Sequence, residues 1–284
     1  GLGRLTAVEL ARRGLRVFAS VRSRGKAESL LQLAKAADAE IDVVELDVRS
    51  PQSVLEAVEQ VRARAGRIDI LVNNAAVAKI GPLEFISEKD AVNVFDTNVL
   101  GAIRLMRAVL PLMRAQRRGR IVNVSSGSAR TRSGARLLSL YGASKAALHC
   151  LTLDINKELA PLGIRAVLVE GGVGGDSKNN DDIMDCVSKL GAADSPYVVS
   201  ERIAAAQMRM MKRMMTDGST AARMIAEACT VPDPPLRFPP EAQRPLDWVD
   251  QLGDRDFLKL CALDDVEAVL KRNALAQSPW RVTQ

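Results

Sequence analysis

Over the first 170 positions, short and almost continuous apolar runs rich in β-branched residues alternate with longer stretches in which apolar residues return every three or four positions. That alternation predicts βαβ units, a parallel sheet with helices on both faces. Strands are predicted at 15–20, 41–46, 68–72, 121–125 and 164–169. Each is nearly unbroken in apolar residues, as a strand covered on both faces requires. Helices fill the gaps. One over 5–13 is stopped by Gly14, and one from Ser50-Pro51 to about Arg64 opens on an N-cap and a first-turn proline. Two more fit between Glu88 and Ala115, and another runs from about Leu138 to Leu159. Beyond Glu170 the pattern changes to Gly-Gly-Val-Gly-Gly-Asp and a polar stretch, followed by a Met-rich helix near 204–215 and a helix over 220–229. A short strand at 236–238 sits in a proline-rich segment, with small helices to the end. The expectation is one doubly wound α/β domain over 1–284, with an insertion at about 171–217 ahead of the last strand.

Composition narrows the chemistry. With 47% apolar and 26% charged residues in 284, the chain can bury a full core. One histidine, His149, excludes His-rich zinc sites, and two tyrosines, Tyr141 and Tyr197, carry the only phenols. Four cysteines at 150, 186, 229 and 261 form no metal-ligand spacing, so they read as reduced thiols, Cys150 serving in packing. No run approaches the roughly 18 apolar residues that cross a bilayer, and no leader pattern opens the sequence. The expectation is a cytoplasmic protein without a membrane span.

The net charge of +6 hints at nucleic acid, but seven arginines between 114 and 136 account for it; outside them, 33 basic residues face 34 acidic ones. The lower group, Arg114–Arg120, is expected in a solvated loop. The upper group, Arg130, Arg132 and Arg136, follows the strand and is expected near the ligand edge of the sheet, biased towards anionic substrates. No nucleic-acid partner is implied.

The candidate chemistry gathers at strand ends, where open α/β sheets bind ligands. Gly1-Leu2-Gly3 leads into a helix, and such a glycine pair lets backbone N–H groups approach a phosphate. About 20 residues on, where a dinucleotide site carries an acid for NAD or an arginine for the 2′-phosphate of NADP, the sequence has Val21 and Arg22. Tyr141 and Lys145 stand four apart at the start of a long helix, on one face. A fixed ammonium beside a phenol favours the phenolate. Ser125-Ser126-Gly127-Ser128 ends one strand, Asn73-Asn74-Ala75-Ala76 another, and Asn98 lies on the helix between them.

Gly1-Leu2-Gly3, Asp47-Val48, Asn73-Asn74-Ala75-Ala76, Asn98, Ser126, Tyr141-x-x-x-Lys145 and Gly171-Gly172, in this order, resemble the short-chain dehydrogenase/reductase family over almost the whole chain. The Ala-Ser-Val-Arg strand ending and Pro-Pro-Leu-Arg-Phe near the C-terminus resemble its hydroxysteroid and retinol dehydrogenase branch. The resemblance implies a Rossmann-type, three-layer α/β/α oxidoreductase. It would interconvert a secondary alcohol and a ketone or aldehyde on a small or lipophilic substrate, as a homodimer or homotetramer. By the same resemblance, Tyr141 is the acid/base, Lys145 lowers its pKa and binds the nicotinamide ribose, Ser126 bonds the substrate oxygen, and Asn98 holds a relay water. Gly1, Gly3, Arg22, Asp47, Val48, Asn73, Ala75 and Gly172, with Tyr141 and Lys145, would bind the cofactor. NADP(H) is favoured over NAD(H), and no metal is expected. A 3-oxoacyl-carrier reductase and a non-catalytic NADP-binding protein are the alternatives.

The sequence departs from the family pattern in four places. The first, central strand and its Thr-Gly turn are missing before Gly1, which suggests an N-terminal truncation. Ala76 stands for a glycine, and Gly171 for a proline. Ser128 has the usual spacing to Tyr141, but Ser126 has the strand-end position; a loop insertion that leaves Ser126 in place is the preferred reading. In the lid insertion, Met208, Met211 and Met215 share a helical face that packs on the sheet domain or lines a lipophilic pocket.

Overall fold

The computed structural model describes residues 1–129, 137–170, 195–198, 200–201, 204–205 and 218–238. Helix α1 (Leu2–Arg12) opens the chain and ends ahead of Gly14, whose φ of +80° lets the chain turn into β1 (Val17–Val21). A crossover through α2 (Glu28–Ala36) brings β2 (Ile41–Glu45) alongside in parallel, Val17 opposite Ile41 and Val21 opposite Glu45. Helix α3 (Pro51–Ala65) starts as its sequence predicts: Ser50 Oγ accepts from the Ser53 amide at 3.2 Å, Pro51 fills the first turn, and Gly66 closes the helix in the left-handed region.

The second half forms a four-stranded parallel sheet in the order β3 (Ile70–Asn73), β4 (Gly119–Val124), β5 (Ile164–Val169), β6 (Arg237–Phe238). Between β3 and β4 run α4 (Glu88–Phe95), a π turn (Asp96–Leu100) and α5 (Gly101–Gln116). Helix α6 (Ser139–Leu159) precedes β5, and α7 (Gly218–Thr230) precedes β6. The side chains of β4 and β5 alternate between two cores. Val122, Val124, Val167 and Val169 meet Ile225 and Ala226 of α7 and Leu10 of α1. Ile121, Ile164 and Ala166 meet Met106, Val109 and Met113 of α5 and Leu148 of α6. Both faces are therefore covered, which gives the expected three-layer Rossmann-type arrangement.

Among the described residues no strand lies between β1 and β3, so β1 and β2 form one sheet and β3 to β6 another. A cleft of about 1240 Å³ runs between the two halves, walled by Val17 and Ala19 on one side and Ile70 and Val72 on the other. It continues to the C-terminal ends of the strands.

The lower arginine group is not one solvated loop. Arg114 belongs to the last turn of α5, Arg117 takes a left-handed φ of 54° as its cap, and Arg118 is exposed. Arg120 lies within β4 and reaches across to the C-terminal end of α7. Its Nη1 donates to the carbonyls of Ala228 (3.3 Å), Cys229 (2.9 Å) and Val231 (2.6 Å), and Nη2 donates to Pro232 (3.1 Å). A cation at this end satisfies carbonyls that the helix leaves unpaired and complements its dipole. Arg120→Met is expected to cost about 2 kcal/mol, the scale of hydrogen bonds to a charged group. Urea unfolding should show a lower midpoint at unchanged slope.

Candidate active site

The candidate site is assembled where β4 meets α6. Val124 ends the strand, and Ser125 and Ser126 follow it, all three buried. Lys145, 2% exposed, donates from Nζ to the Val124 carbonyl at 2.8 Å, and Ser125 Oγ returns a bond to the Lys145 carbonyl at 3.3 Å. The helix is thus stitched to the strand end from both sides. One turn earlier, Ser126 stands close enough to the Tyr141 hydroxyl to lower its pKa, and the Lys145 ammonium stands 5.8 Å from the Tyr141 ring centroid. Ser126 Oγ also accepts from the Ser128 amide at 3.2 Å. A Cβ on Gly142 would come within 2.8 Å of the Ser128 carbonyl, so a glycine lets α6 lie against this turn. The hydroxyl beside Tyr141 is that of Ser126.

Burial favours the neutral forms of both ionisable groups. It raises the Tyr141 phenol above its ordinary value, against a lowering by Ser126, and brings Lys145 down to about 8. At neutral pH the phenol holds its proton.

Asn98 sits in the π turn rather than on regular helix, and is almost fully buried. Its Oδ1 accepts from the Val77 amide at 2.8 Å, while Nδ2 donates to the Val77 carbonyl (2.9 Å) and to Ser144 Oγ (2.9 Å). Ser144 Oγ in turn donates to the Tyr141 carbonyl at 2.7 Å. Π turns interrupt helices at functional sites, and this one ties the end of β3 to α6. A second buried network braces the same corner: Asn73 Nδ2 donates to Asn123 Oδ1 (2.8 Å), and Asn123 Nδ2 donates to Thr152 Oγ1 (2.9 Å). Ser144, Asn123 and Thr152 escaped the sequence reading. Only Ser144, inside Tyr-Gly-Ala-Ser-Lys, carried a local signal.

At the other end of the cleft α1 begins at Gly1 with no side-chain cap and no acid in its first turn. A Cβ on Gly3 would meet Asn74 Nδ2 at 2.8 Å, so the bare backbone brings the helix start close against the end of β3. Beyond β2, the Asp47 carboxylate is gripped by Arg49: Oδ1 accepts from its amide (3.0 Å) and Nε (3.1 Å), and Oδ2 from Nη2 (2.8 Å). That grip, aided by the charge of Arg22 and opposed by burial, holds Asp47 at about 2. All the predicted site residues line the one cleft except two: Asn98 stands behind its wall, and Gly172 is outside the described residues. Arg130, Arg132, Arg136, Gly171 and the Met208–Met215 run are also outside them.

One minor expectation changes. Cys150 is exposed, with Sγ 3.8 Å from Asp154 Oδ2, because its position on α6 faces away from the sheet, so it takes no part in packing. Tyr197 packs edge-on against Phe85, with ring centroids 5.6 Å apart. His149 lies partly buried with Nδ1 3.7 Å from Glu170 Oε1. Among the described residues no helix is long and apolar enough to cross a membrane, and no group of three His, Cys, Asp or Glu could hold a metal.

The family model described as short chain dehydrogenase matches residues 1–183. The chain belongs to that family. Human retinol dehydrogenase 8 is 39% identical over 176 residues, which are 61% of this chain and 55% of the relative, so the chain spans about half the length of that protein. Mouse retinol dehydrogenase 5 is 29% identical over 263 residues, 88% of this chain and 80% of the relative. The NADPH-dependent pterin aldehyde reductase of Arabidopsis thaliana is 38% identical over 174 residues, 61% and 70% of the two chains. Among solved structures, a short-chain dehydrogenase from Streptomyces avermitilis is 29% identical with a TM-score of 0.68, over 96% of this chain and 91% of that one. An NAD+-bound xylitol dehydrogenase is 27% identical with a TM-score of 0.69, over 80% and 87%. These relatives place the chain with the retinol and hydroxysteroid dehydrogenase-like branch that the motifs resemble.

The closeness of Ser126 to Tyr141 makes a direct prediction. Ser126→Ala should raise the Tyr141 phenol further, seen as a later rise in phenolate absorbance on alkaline titration. Ser128→Ala should leave the titration in place; the reverse result would move the site to Ser128.

Proposed function

We propose that this short-chain dehydrogenase is an NADP(H)-dependent oxidoreductase interconverting a secondary alcohol and a ketone or aldehyde on a small or lipophilic substrate. The observation that carries the reading is Lys145, fixed on the Val124 carbonyl at the end of β4 with its ammonium close to the Tyr141 ring and the buried Ser126 next to that strand end. In the reducing direction the protonated Tyr141 gives its proton to the substrate oxygen, and Ser126 holds that oxygen beside it. Lys145, fixed on the Val124 carbonyl, keeps a cation near the phenolate that results. The side-chain groups of Asn98 are engaged by Val77 and Ser144, so a relay water would rest on its main-chain carbonyl.

The cleft suits a dinucleotide. The start of α1, which has no side-chain cap, would offer backbone donors to a phosphate, and Asn73 Oδ1 is buried in the cleft wall without a hydrogen-bond partner among the described residues. When bound, NADP(H) would supply or accept the hydride. Gly1 and Gly3 would take its diphosphate; Asp47, Val48 and Ala75 its adenosine side; and Lys145 with Gly172 its nicotinamide side. Val21 brings no acid to the end of β1, and Arg22 offers a permanent cation to a 2′-phosphate. The NADPH dependence in the name of the Arabidopsis relative supports this choice.

Tyr141→Phe should bind NADPH as the parent does, yet lose at least about 100-fold in NADPH oxidation across a ketone and aldehyde panel that includes retinal and a pterin aldehyde. Retained turnover would remove Tyr141 from the chemistry. Val21→Asp with Arg22→Ala should move the preference towards NADH in the same assay. Equal use of NADH and NADPH by the parent protein would contradict the cofactor assignment.

A further inference from the structure

The turn after β2 and the π turn after α4 are held together by one side chain. Arg104, in the first turn of α5 and about three-quarters buried, donates from Nη1 to the Val48 carbonyl (3.2 Å) and from Nη2 to Asp96 Oδ1 (2.7 Å). Two nitrogens of one rigid plane thus grip two segments that are 48 residues apart in the chain. The packing beneath is close, for a Cβ on Gly101 would meet Val48 Cγ2 at 2.8 Å. A second tether runs from the turn after β2 to α4, just ahead of the π turn, from Arg49 Nη1 to Asn93 Oδ1 at 3.2 Å. Both flanks of the π turn are therefore anchored to residues 47–49. Within the π turn Asn98 holds Val77 and Ser144, and Ser144 holds the Tyr141 carbonyl. Two sets of hydrogen bonds, joined by the main chain of the π turn between Asp96 and Asn98, connect the Val48 turn to the helix that carries Tyr141 and Lys145.

We propose that Arg104 is a positioning residue that locks the Asp47–Val48 turn to the π turn, so that a nucleotide seated on the first fixes Asn98 on the second. The inference rests on the nucleotide-binding reading above and adds a residue that touches neither nucleotide nor substrate. A helix interrupted by a π turn has its regular α-helical register close at hand, and a fork fastened on both sides of the interruption selects one arrangement. Adjacency alone does not establish coupling, so the test measures it.

The probe is 2′,5′-ADP, the adenosine part alone, added to the full chain and followed by calorimetry and amide hydrogen exchange. In the parent protein it should slow exchange at residues 47–49 and also at 96–100. In Arg104→Met the slowing at 47–49 should persist, that at 96–100 should vanish, and affinity should fall about fivefold, the lower end of ordinary site-to-site coupling. Arg104→Lys, which reaches one partner but not both, should fall between. If Arg104→Met does not fold, Asp96→Asn opens the same fork from its other side. A merely structural arginine predicts something else: faster exchange at 96–100 in the free variant, with the slowing on 2′,5′-ADP binding intact, and that result overturns the proposal. Slowing confined to 47–49 in the parent overturns it too, while leaving the nucleotide reading standing. A parent protein that binds neither 2′,5′-ADP nor NADPH overturns both.

Discussion

An ammonium taken out of water needs a partner, and Lys145 has its partner in the Val124 carbonyl at 2.8 Å. That bond pins the first turns of α6 to the last residue of β4, and the rest of the site is built around it. Tyr141 lies one turn back on the same helix, so its hydroxyl falls beside Ser126, the second residue after the strand. Burial lowers Lys145 to about 8 and raises Tyr141, so the expected lowering of the phenol by the ammonium does not prevail and Tyr141 keeps its proton at neutral pH.

Around this anchor the protein uses amides where charges would be costly. Asn98 and the Asn73–Asn123–Thr152 network join β3, β4, the π turn and α6 through neutral, buried bonds of 2.8–2.9 Å. Such networks are stabilising only when satisfied. Asn98 meets that condition within the protein, whereas Asn73 Oδ1 keeps an unused acceptor in the cleft wall. The wall is thus fully hydrogen-bonded where it supports α6 and keeps one buried acceptor facing the cleft side.

The far end of the cleft is organised by charge. Arg49 occupies both oxygens of Asp47, Arg22 adds a cation at the end of β1, and Arg104 reaches over from α5 to the Val48 carbonyl. Arginine suits these places because one planar fork can satisfy two acceptors with little freedom to lose. The same property lets Arg120 gather the carbonyls at the end of α7.

Strand positions, the helix start at Ser50 and the helix stop at Gly14, and the order Gly1, Asp47, Asn73, Asn98, Ser126, Tyr141, Lys145 were legible from the chain alone. Periodicity, capping and i,i+4 spacing are local properties, and all six strands lie within about two residues of where the sequence puts them. Tertiary structure decided what depends on partners far apart in sequence. It turned Arg120 from a loop charge into the cap of a helix about 110 residues later, exposed Cys150, and placed Asn98 in a π turn. None of these follows from pattern, because the sequence specifies which groups a side chain carries, while burial and the arrival of a distant strand or helix end determine which of them find a partner.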